Sequence, residues 1–458
     1  MKLYDTATRQ VRDLVARPDG EIRMYVCGPT VYGPPHLGHG RFALVFDVLR
    51  RYLAWRGFRV RYVSNITDVD DKIIAAAAVE GTSPEEFAAR WEEVWWEVMD
   101  TLGVQRPDHD PHASAYVTHM VELAARLEER GFAYTTSTGL YFDVSRLEDY
   151  GLLAGQSTDH LLAGARVEVD EEKRSPLDFA LWKFAKPGEP KWPSPWGEGR
   201  PGWHTECVVM SMDLLGEEFE LHGGGRDLAF PHHENERAQA TAVGCRFARH
   251  WVHNGFVEVE GEKMSKSLGN FVDLTDLLRR ADPRALRMLV LRSHYRSPME
   301  VDQETVRDAE GALQRLDALA RRGSDLPAAE ADAGLLDRFA QAMDDDLDTP
   351  RATALLFQTV REANAALDSG DSDRAAHLVA TVRSICETLG LSLGDGEERP
   401  PPEIEELVRA RDAARRAKDW AAADRIRESL RERGWLVEDS PAGTKVRRAS
   451  SSRSGSSS

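Results

Sequence analysis

The amino-acid sequence predicts an α/β protein: a split, doubly wound (Rossmann-like) parallel-sheet domain with a connective segment inserted in it, followed by a long α-helical region. Three observations carry this. The stretch 22–63 passes from strand period to helix period and back; a second α/β pattern resumes after a Pro-rich interruption; and from residue 273 the apolar spacing is helical almost to the end.

Ile22–Val26 alternates as a strand, and Cys27-Gly28-Pro29-Thr30 breaks it. Phe42, Val45, Phe46, Leu49 and Leu53 recur at helical spacing, Gly57 stops that helix as a left-handed cap would, and Phe58–Val63 forms a second strand. Strand, helix and strand in so short a span imply a right-handed parallel crossover, and open parallel sheets bind ligands at their C-terminal strand ends. Cys27, the His36–His39 segment, Asn65, Thr67 and Asp68 fall at such ends. Residues 84–100 and 112–131 read as helices. Asp68, Asp70 and Asp71 suit either a cation or, more commonly, a helix cap. Residues 132–200 are irregular and read as the insertion, short and without a hydrolytic constellation of its own. The sheet pattern resumes near Trp203–Leu221, His233–Val243 looks helical, and two short strands at 251–253 and 256–259 lead into a loop at Lys263–Ser267. Pro400-Pro401-Pro402 marks a linker, and the Ser-rich stretch 449–458 is expected to be disordered. The implied divisions are 1–131 and 201–262 for the two halves of the split domain, 132–200 for the insertion, 263–320 for the lysine loop and the helical segment after it, 321–399 for a helical bundle, 400–448 for a small further domain and 449–458 for the tail.

With 458 residues, 41% of them hydrophobic, the chain can bury cores for about three domains. No long apolar run predicts a leader or a membrane helix, so a cytoplasmic protein is expected. Four cysteines (Cys27, Cys207, Cys245 and Cys386) are too few for a disulfide framework and read as reduced thiols available to a metal or to catalysis. A net charge of −18 argues against a wholesale nucleic-acid coat. It leaves room for a local one: Arg409, Arg411, Arg415, Arg416, Lys418, Arg425, Arg427, Arg431 and Arg433, then Lys445, Arg447 and Arg448, crowd the last quarter, where the plainer reading is a solvated helix of ion pairs.

Two strings stand out. His36-Leu37-Gly38-His39 sits where a helix begins, so free amides and the positive dipole end face an anion, Gly38 permits close approach, and two imidazoles can donate to phosphate oxygens. Alone it is as well explained by a helix cap with one structural histidine. Lys263-Met264-Ser265-Lys266-Ser267 places two lysines among small residues between glycine-containing turns, a loop able to close over a triphosphate; alone it is an ordinary exposed lysine loop. In this order, each at the edge of an α/β unit, they suggest an enzyme that grips ATP from two sides. His232 and Glu236, four apart at the start of a helix, share a face and with Cys27 and Cys207 offer four zinc donors, but spacing alone does not bring the cysteines to that face, and buried thiols with a capping histidine explain them as well. Trp182, Trp192 and Trp196 read as packing residues. Gly223-Gly224-Gly225 reads as a turn or a close approach, with His222 ending a strand before it.

Taken together, these residues resemble a family. Cys27–Tyr32 running into His36–His39, then Asn65-Ile66-Thr67-Asp68-Val69-Asp70-Asp71-Lys72, Pro201–Cys207, Phe230–Glu236 and Lys263–Ser267, over about Tyr4 to Arg448, are similar to the class I cysteinyl-tRNA synthetases. The resemblance implies an anticodon-binding role for the C-terminal helical region and one zinc ion held by Cys27, Cys207, His232 and Glu236. It also implies ATP activation by His36, Gly38, His39 and the lysines Lys263 and Lys266, with Mg2+ accompanying ATP, and a cysteine pocket near Gly28, Thr67, Trp203, His222 and Asp227. Partners would be tRNA(Cys), L-cysteine and ATP, and the working unit a monomer. Arg292-Ser293-His294-Tyr295-Arg296 would contact the tRNA stem. Leu37 stands where the family usually has isoleucine, and Gly33-Pro34-Pro35 stiffens the approach to His36. A close relative, a ligase joining cysteine to an amino-sugar, would share the zinc and ATP motifs but lack most of the C-terminal region.

Overall fold

A computed structural model describes residues 1–155, 172–259, 262–264, 273–394, 402–417, 419–433, 435–440 and 443–448. The tail and Ser265–Ser267, with Lys266, lie outside them.

The N-terminal half of the molecule is organised by one four-stranded parallel sheet, β3 (Glu21–Val26), β4 (Arg59–Val63), β9 (Glu218–Gly225) and β10 (Phe247–Asn254), in the spatial order β10-β9-β3-β4. A short antiparallel pair, β1 (Lys2–Asp5) and β2 (Gln10–Asp13), precedes it. The crossover expected from the sequence is present: β3 leads through α1 (Leu37–Trp55) into β4, whose register runs from Glu21↔Arg59 to Tyr25↔Val63. After the insertion the chain returns on the other side of β3 and builds outward through β9 and β10. The order therefore reverses between β3 and β9, and the crevice above that reversal is where a doubly wound sheet binds ligands. Cys27 stands there, its N–H donating to the Gly223 carbonyl at 3.2 Å.

α1 lies on this sheet because thirteen of its residues are buried, and because β9 yields space to it. A Cβ at Gly223 would sit 2.3 Å from the Phe46 ring. The triple glycine is thus strand interior rather than a turn: it lets a helix approach the sheet. Gly57, at φ +87°, ends the helix as expected. Asp70 caps α2 (Asp71–Glu80), accepting from the Lys72 N–H at 2.9 Å, and Asp68 accepts from the Ser114 N–H at 2.9 Å, so the acidic run is structural. α3 (Pro84–Thr101) and α4 (Val117–Glu129) come next.

Three sequence expectations are corrected. The insertion is not irregular: β5 (Ala133–Thr135), β6 (Gly139–Phe142), β7 (Phe179–Phe184) and β8 (Gly199–Pro201) form an antiparallel sheet, too short strand by strand to show an alternation. Asp71 ties it to α2 through Lys183, 2.5 Å away, and Arg200. Next, Trp203–Leu215 is helix α5 rather than strand; seven consecutive residues, Thr205 to Ser211, are buried, so no amphipathic period marks it. Finally, the C-terminal region is not wholly helical: α13 (Pro402–Arg416) and α14 (Trp420–Glu432) are followed by the antiparallel pair β14 (Trp435–Ser440) and β15 (Gly443–Arg448), and Ile404, Leu430 and Trp435 form a small core there.

α6 (Glu234–Ala242) precedes β10. Lys263 lies in a two-residue strand, β12 (Glu262–Lys263), opposite Glu258 of β11 (Val257–Val259), where the sequence reads a loop. The other edge of β11 pairs with β13 (Met299–Glu300). Beyond β12, α7 (Leu274–Arg280), α8 (Pro283–Arg292), α9 (Gln303–Arg322), α10 (Ala333–Asp344), α11 (Thr349–Asp368) and α12 (Ser372–Thr388) share one continuous apolar core with α1 and β3. A buried charge pair clamps this junction: Asp47 of α1 accepts from Arg287 of α8 at 2.5 Å and from Arg51 at 2.8 Å. Among the described residues no helix is long and apolar enough to cross a membrane.

Candidate active site and metal centre

Four side chains from three elements converge over the switch point. Cys27 leaves the end of β3, Cys207 comes from α5, His232 from the turn before α6, and Glu236 from its first turn. Cys27 Sγ lies 3.5 Å from Cys207 Sγ and 3.4 Å from Glu236 Oε1; Cys207 Sγ lies 3.6 Å from His232 Nε2; and His232 Nε2 lies 3.0 Å from Glu236 Oε1. A tetrahedral zinc ion with Zn–S of ~2.3 Å and Zn–N or Zn–O of ~2.0–2.2 Å would set its donors roughly 3.3–3.8 Å apart. Three of the four spacings fall within that range and the His232–Glu236 one is 0.3 Å shorter than its lower end; all four residues are buried, and the donor types suit the ion.

The environment also favours a cation. Burial pushes the Cys27 thiol well above its ordinary range, aided by Cys207 and Glu236; burial likewise raises Cys207. Burial holds His232 and His233 well below theirs, and His204 down to about 3, so all three imidazoles are neutral. His204 Nδ1 lies 3.0 Å from His232 Nδ1, which leaves Nε2 of His232 directed at the cluster. The second oxygen of Glu236 meets His222 Nε2 at 2.7 Å. Cys27, His222, His233 and Glu236 also lie close enough to share an ion. There, however, His222 is already engaged with Glu236, and His233 Nδ1 with His253 Nε2 at 2.8 Å. His222 is thus better described as orienting the Glu236 carboxylate.

The residues around the cluster form a tight cradle. Gly28 donates to Asn65 Oδ1 at 2.9 Å, and a Cβ there would lie 1.7 Å from the Asn65 carbonyl oxygen, so only glycine fits. Thr67 Oγ1 donates to Glu206 Oε2 at 2.8 Å, and Trp203 stacks on His232 with centroids 4.1 Å apart. Asp227 is exposed in the loop after β9, its carboxylate 2.5 Å from where a Cβ on Gly225 would stand. Sequence reasoning gave no role to Glu206, His204 and Tyr25. Glu206 is fully buried, its Oε1 has no hydrogen-bond partner among the described residues, and burial raises its carboxyl well above the usual range. Its signal was slight: a carboxylate immediately before the apolar run Cys207–Met210.

The described start of the lysine motif also reaches the histidine motif. His36 caps α1, its ring accepting from the His39 N–H at 3.3 Å while His39 Nδ1 accepts from the His36 N–H at 3.2 Å, and the rings stack at 3.6 Å. The helix-cap reading and the anion-site reading are therefore compatible, because the cap itself fixes both imidazoles at the positive end of the helix. Leu274 N–H donates to the Pro35 carbonyl at 3.0 Å, and Met264 Cε would touch a Cβ on Gly38 at 3.8 Å, so the segment bearing Lys263 runs alongside the His36–His39 turn. In the segment expected at a tRNA stem, Tyr295 is 2% exposed and bonded to Asp346 at 2.8 Å, and Arg296 is held by Asp346 and the Tyr4 ring; these two are engaged internally.

Residues 14–311 match the family model of the class I (C) tRNA synthetase catalytic domain, 338–394 that of a DALR domain, and 399–447 that of a cysteinyl-tRNA ligase anticodon binding domain. The cysteine–tRNA ligase of Alkalilimnicola ehrlichii is 47% identical over 98% of this chain and 100% of its own. That of Thermotoga maritima is 45% identical over 97% and 99%. In fold, the chain is similar to a methionyl-tRNA synthetase of Mycobacterium tuberculosis in complex with methionyl-adenylate, with a TM-score of 0.60 at 17% identity over 81% of this chain and 89% of that one. It is similar also to a LeuRS–tRNA–LeuAMS complex of Agrobacterium radiobacter, with a TM-score of 0.60 at 12% identity over 83% and 84%. With a catalytic-domain match across most of its length and near-complete coverage of relatives approaching half identity, the chain belongs to the class I cysteine–tRNA ligase family.

Proposed function

We propose that this chain is a cysteine–tRNA ligase that activates L-cysteine with ATP and transfers it to the 3′ end of tRNA(Cys), selecting cysteine through a zinc ion held by Cys27, Cys207, His232 and Glu236. The observation that carries the reading is the buried four-donor cluster at the switch point of a chain in this family. Bound there, zinc would supply a site for the substrate sulfur, since a thiol ionises at a metal far more readily than a serine hydroxyl. A site that demands such a bond can reject a near-isostere by about 10⁴–10⁵.

The chain's own residues do the rest by positioning and electrostatics. Gly28, Thr67, Trp203, His222 and Asp227 shape the pocket, with His222 fixing the Glu236 carboxylate. His36 and His39, at the amide-rich start of α1 with Gly38 between them, donate to the ATP phosphates, and Lys263 and Lys266 close from the other side, with Mg2+ accompanying the nucleotide. The cysteine carboxylate attacks the α-phosphate, releasing pyrophosphate; a hydroxyl of the terminal tRNA ribose then attacks the cysteinyl carbonyl and AMP leaves. Every donor comes from one chain, which fits a monomer. The alternative, an amino-sugar ligase, is disfavoured by the match of 399–447 to an anticodon binding domain. Cysteine-dependent ATP–pyrophosphate exchange, followed by product analysis with tRNA(Cys) against an amino-sugar acceptor, tests the reading. Cysteinyl-tRNA is the expected product, and a cysteine–sugar conjugate would reject it.

A further inference from the structure

Just past His39 on the same helix, Arg41 is 1% exposed. Among the described residues it has no carboxylate at ion-pair distance, and burial draws its pKa down to about 10 against a smaller opposing effect of Glu258. Its guanidinium faces backbone carbonyls instead. Nη1 donates to the Phe256 carbonyl at 2.5 Å; Nη2 donates to that of Ser297 and lies 3.2 Å from that of Tyr295 and 3.4 Å from that of His294. These carbonyls stand at the roots of β11 and of its edge partner β13, which cross closely. The Gly255 N–H donates to the Tyr295 carbonyl at 2.7 Å, and a Cβ on Gly255 would stand 2.4 Å from the Ser297 oxygen. β11 in turn holds the lysine motif, because the Met264 N–H donates to the Val257 carbonyl at 3.0 Å. A continuous path thus runs from His39 through Arg41, Phe256 and Val257 to Met264.

Hydrogen-bond satisfaction alone does not call for a cation here. The carbonyls of Phe256, Tyr295 and His294 already accept from the N–H groups of Met299, Gly255 and Ser297. A buried cation without a counter-ion is costly. What a guanidinium adds is a rigid planar fork whose two arms reach both strand roots at once. Resting on the reading of the histidine and lysine motifs as two sides of an ATP site, we propose that Arg41 is a positioning residue for cysteine activation: it sets the strand that carries the lysine motif at a fixed distance from His36 and His39, so that both motifs grip the triphosphate together. Arg41 touches no substrate and acts only through the roots of β11 and β13. It serves the step in which the triphosphate is held, not capture of the cysteine sulfur and not the later transfer to tRNA.

Arg41→Gln, Arg41→Lys and, from the other side of the crossing, Gly255→Ala test this in the full chain. The measurements are steady-state ATP–pyrophosphate exchange, zinc content, and single-turnover transfer of cysteine from preformed enzyme-bound adenylate to tRNA(Cys). Misplacing a catalytic group by about 1 Å from a distance costs about 10²-fold in rate. Arg41→Gln and Gly255→Ala should each lower kcat/KM for ATP by about that factor, while KM for cysteine, zinc content and the transfer rate stay at wild-type values. Arg41→Lys, which keeps the charge and can hold one root, should recover part of the loss. Should Arg41→Gln fail to fold, the other two variants carry the same comparison. Wild-type kcat/KM for ATP in the folded variants overturns the proposal, as does an equal loss across ATP, cysteine and transfer, which is the mark of a purely structural residue. Absence of cysteine-dependent exchange in the wild-type chain would instead reject the reading of the ATP site beneath it.

Discussion

Cys207→Ser is the sharpest test of the proposed metal site. The substitution keeps the shape of the side chain, but the serine hydroxyl stays protonated and offers a weak donor where Cys207 Sγ stands 3.5 Å from Cys27 and 3.6 Å from His232. Apparent binding free energies of four-donor zinc sites run to about 10–16 kcal/mol, so one donor accounts for roughly 2.5–4 kcal/mol, or about 10²–10³ in affinity. The proposed ATP side is built from other elements, the His36–His39 cap of α1 and the segment beside it, and among the described residues Cys207 has no hydrogen bond to that cap. The variant should therefore lose metal on dialysis against buffered zinc at a concentration about 10²–10³ higher than wild type needs. Its KM for cysteine in ATP–pyrophosphate exchange should rise in step, with the KM for ATP unchanged. Discrimination against serine should narrow. A variant with wild-type KM for cysteine would remove the metal from substrate recognition, and one that lost ATP affinity equally would point to misfolding of the crevice.

The same geometry sets four further outcomes. Gly28→Ala should cut cysteine activation by at least about 100-fold, because its Cβ collides with backbone at Asn65, 1.7 Å away, and costs more than the ~1–3 kcal/mol of ordinary overpacking; near-normal exchange rates would show that the strand ends can part. Thr67→Val removes the donor to Glu206 Oε2 and leaves that buried carboxyl with no partner on either oxygen, a cost of about 1–3 kcal/mol that thermal melting should register. Asp47→Asn strands the fully buried Arg287 and should destabilise the junction of α1 with α8 by about 3–5 kcal/mol; an unchanged melting profile would contradict the clamp. The His112–Glu92 pair, 2.9 Å apart, gives a pH signature. His112 is raised, chiefly by its bond to Glu92, so its contribution is complete below about 6.5 and is lost as pH rises through its folded pKa; Glu92 is lowered by His112 despite burial, so its contribution is present above its unfolded pKa and is lost as pH falls through the folded one. Both groups are partly exposed, so the effect stays within about 1 kcal/mol, and His112→Gln should flatten the stability profile on both flanks.

Elements with a single clean period were legible in the sequence. The β3–α1–β4 crossover showed itself because the apolar residues of α1 recur at helical spacing, although positions 40–49 are all buried, and because Cys27-Gly28-Pro29 marks the end of β3 and Gly57 the end of α1. α5 did not, since a helix buried all round carries neither a 3.6 nor a 2.0 period, and the short strands of the insertion and the terminal hairpin gave too few residues to alternate. The pairing of His232 with Glu236 was local and could be read from their spacing. The arrival of Cys27 and Cys207 could not, because it depends on β9 lying against β3 and on α5 crossing above them, which only the resemblance supplied.

That non-locality bears on what the metal would do. Cys27 comes from the first half of the split domain, while Cys207, His232 and Glu236 come from the second, beyond the insertion. Without an ion, the halves meet at this point through two thiols raised by burial, a neutral imidazole and the Glu236 carboxylate, to which the Cys27 thiol donates at 3.4 Å. A divalent cation bonded across them would join the halves at the crevice where substrate binds. Removing it should loosen the crevice as well as empty the cysteine site. Hydrogen exchange of the chelated protein should therefore show deprotection centred on the ends of β3 and β9 and on the start of α6, whereas α13 and α14, with their separate small core, should keep their protection. Uniform loss across the chain, or none at the strand ends, would mean that the two halves hold together without the ion, through the β3–β9 pairing and packing.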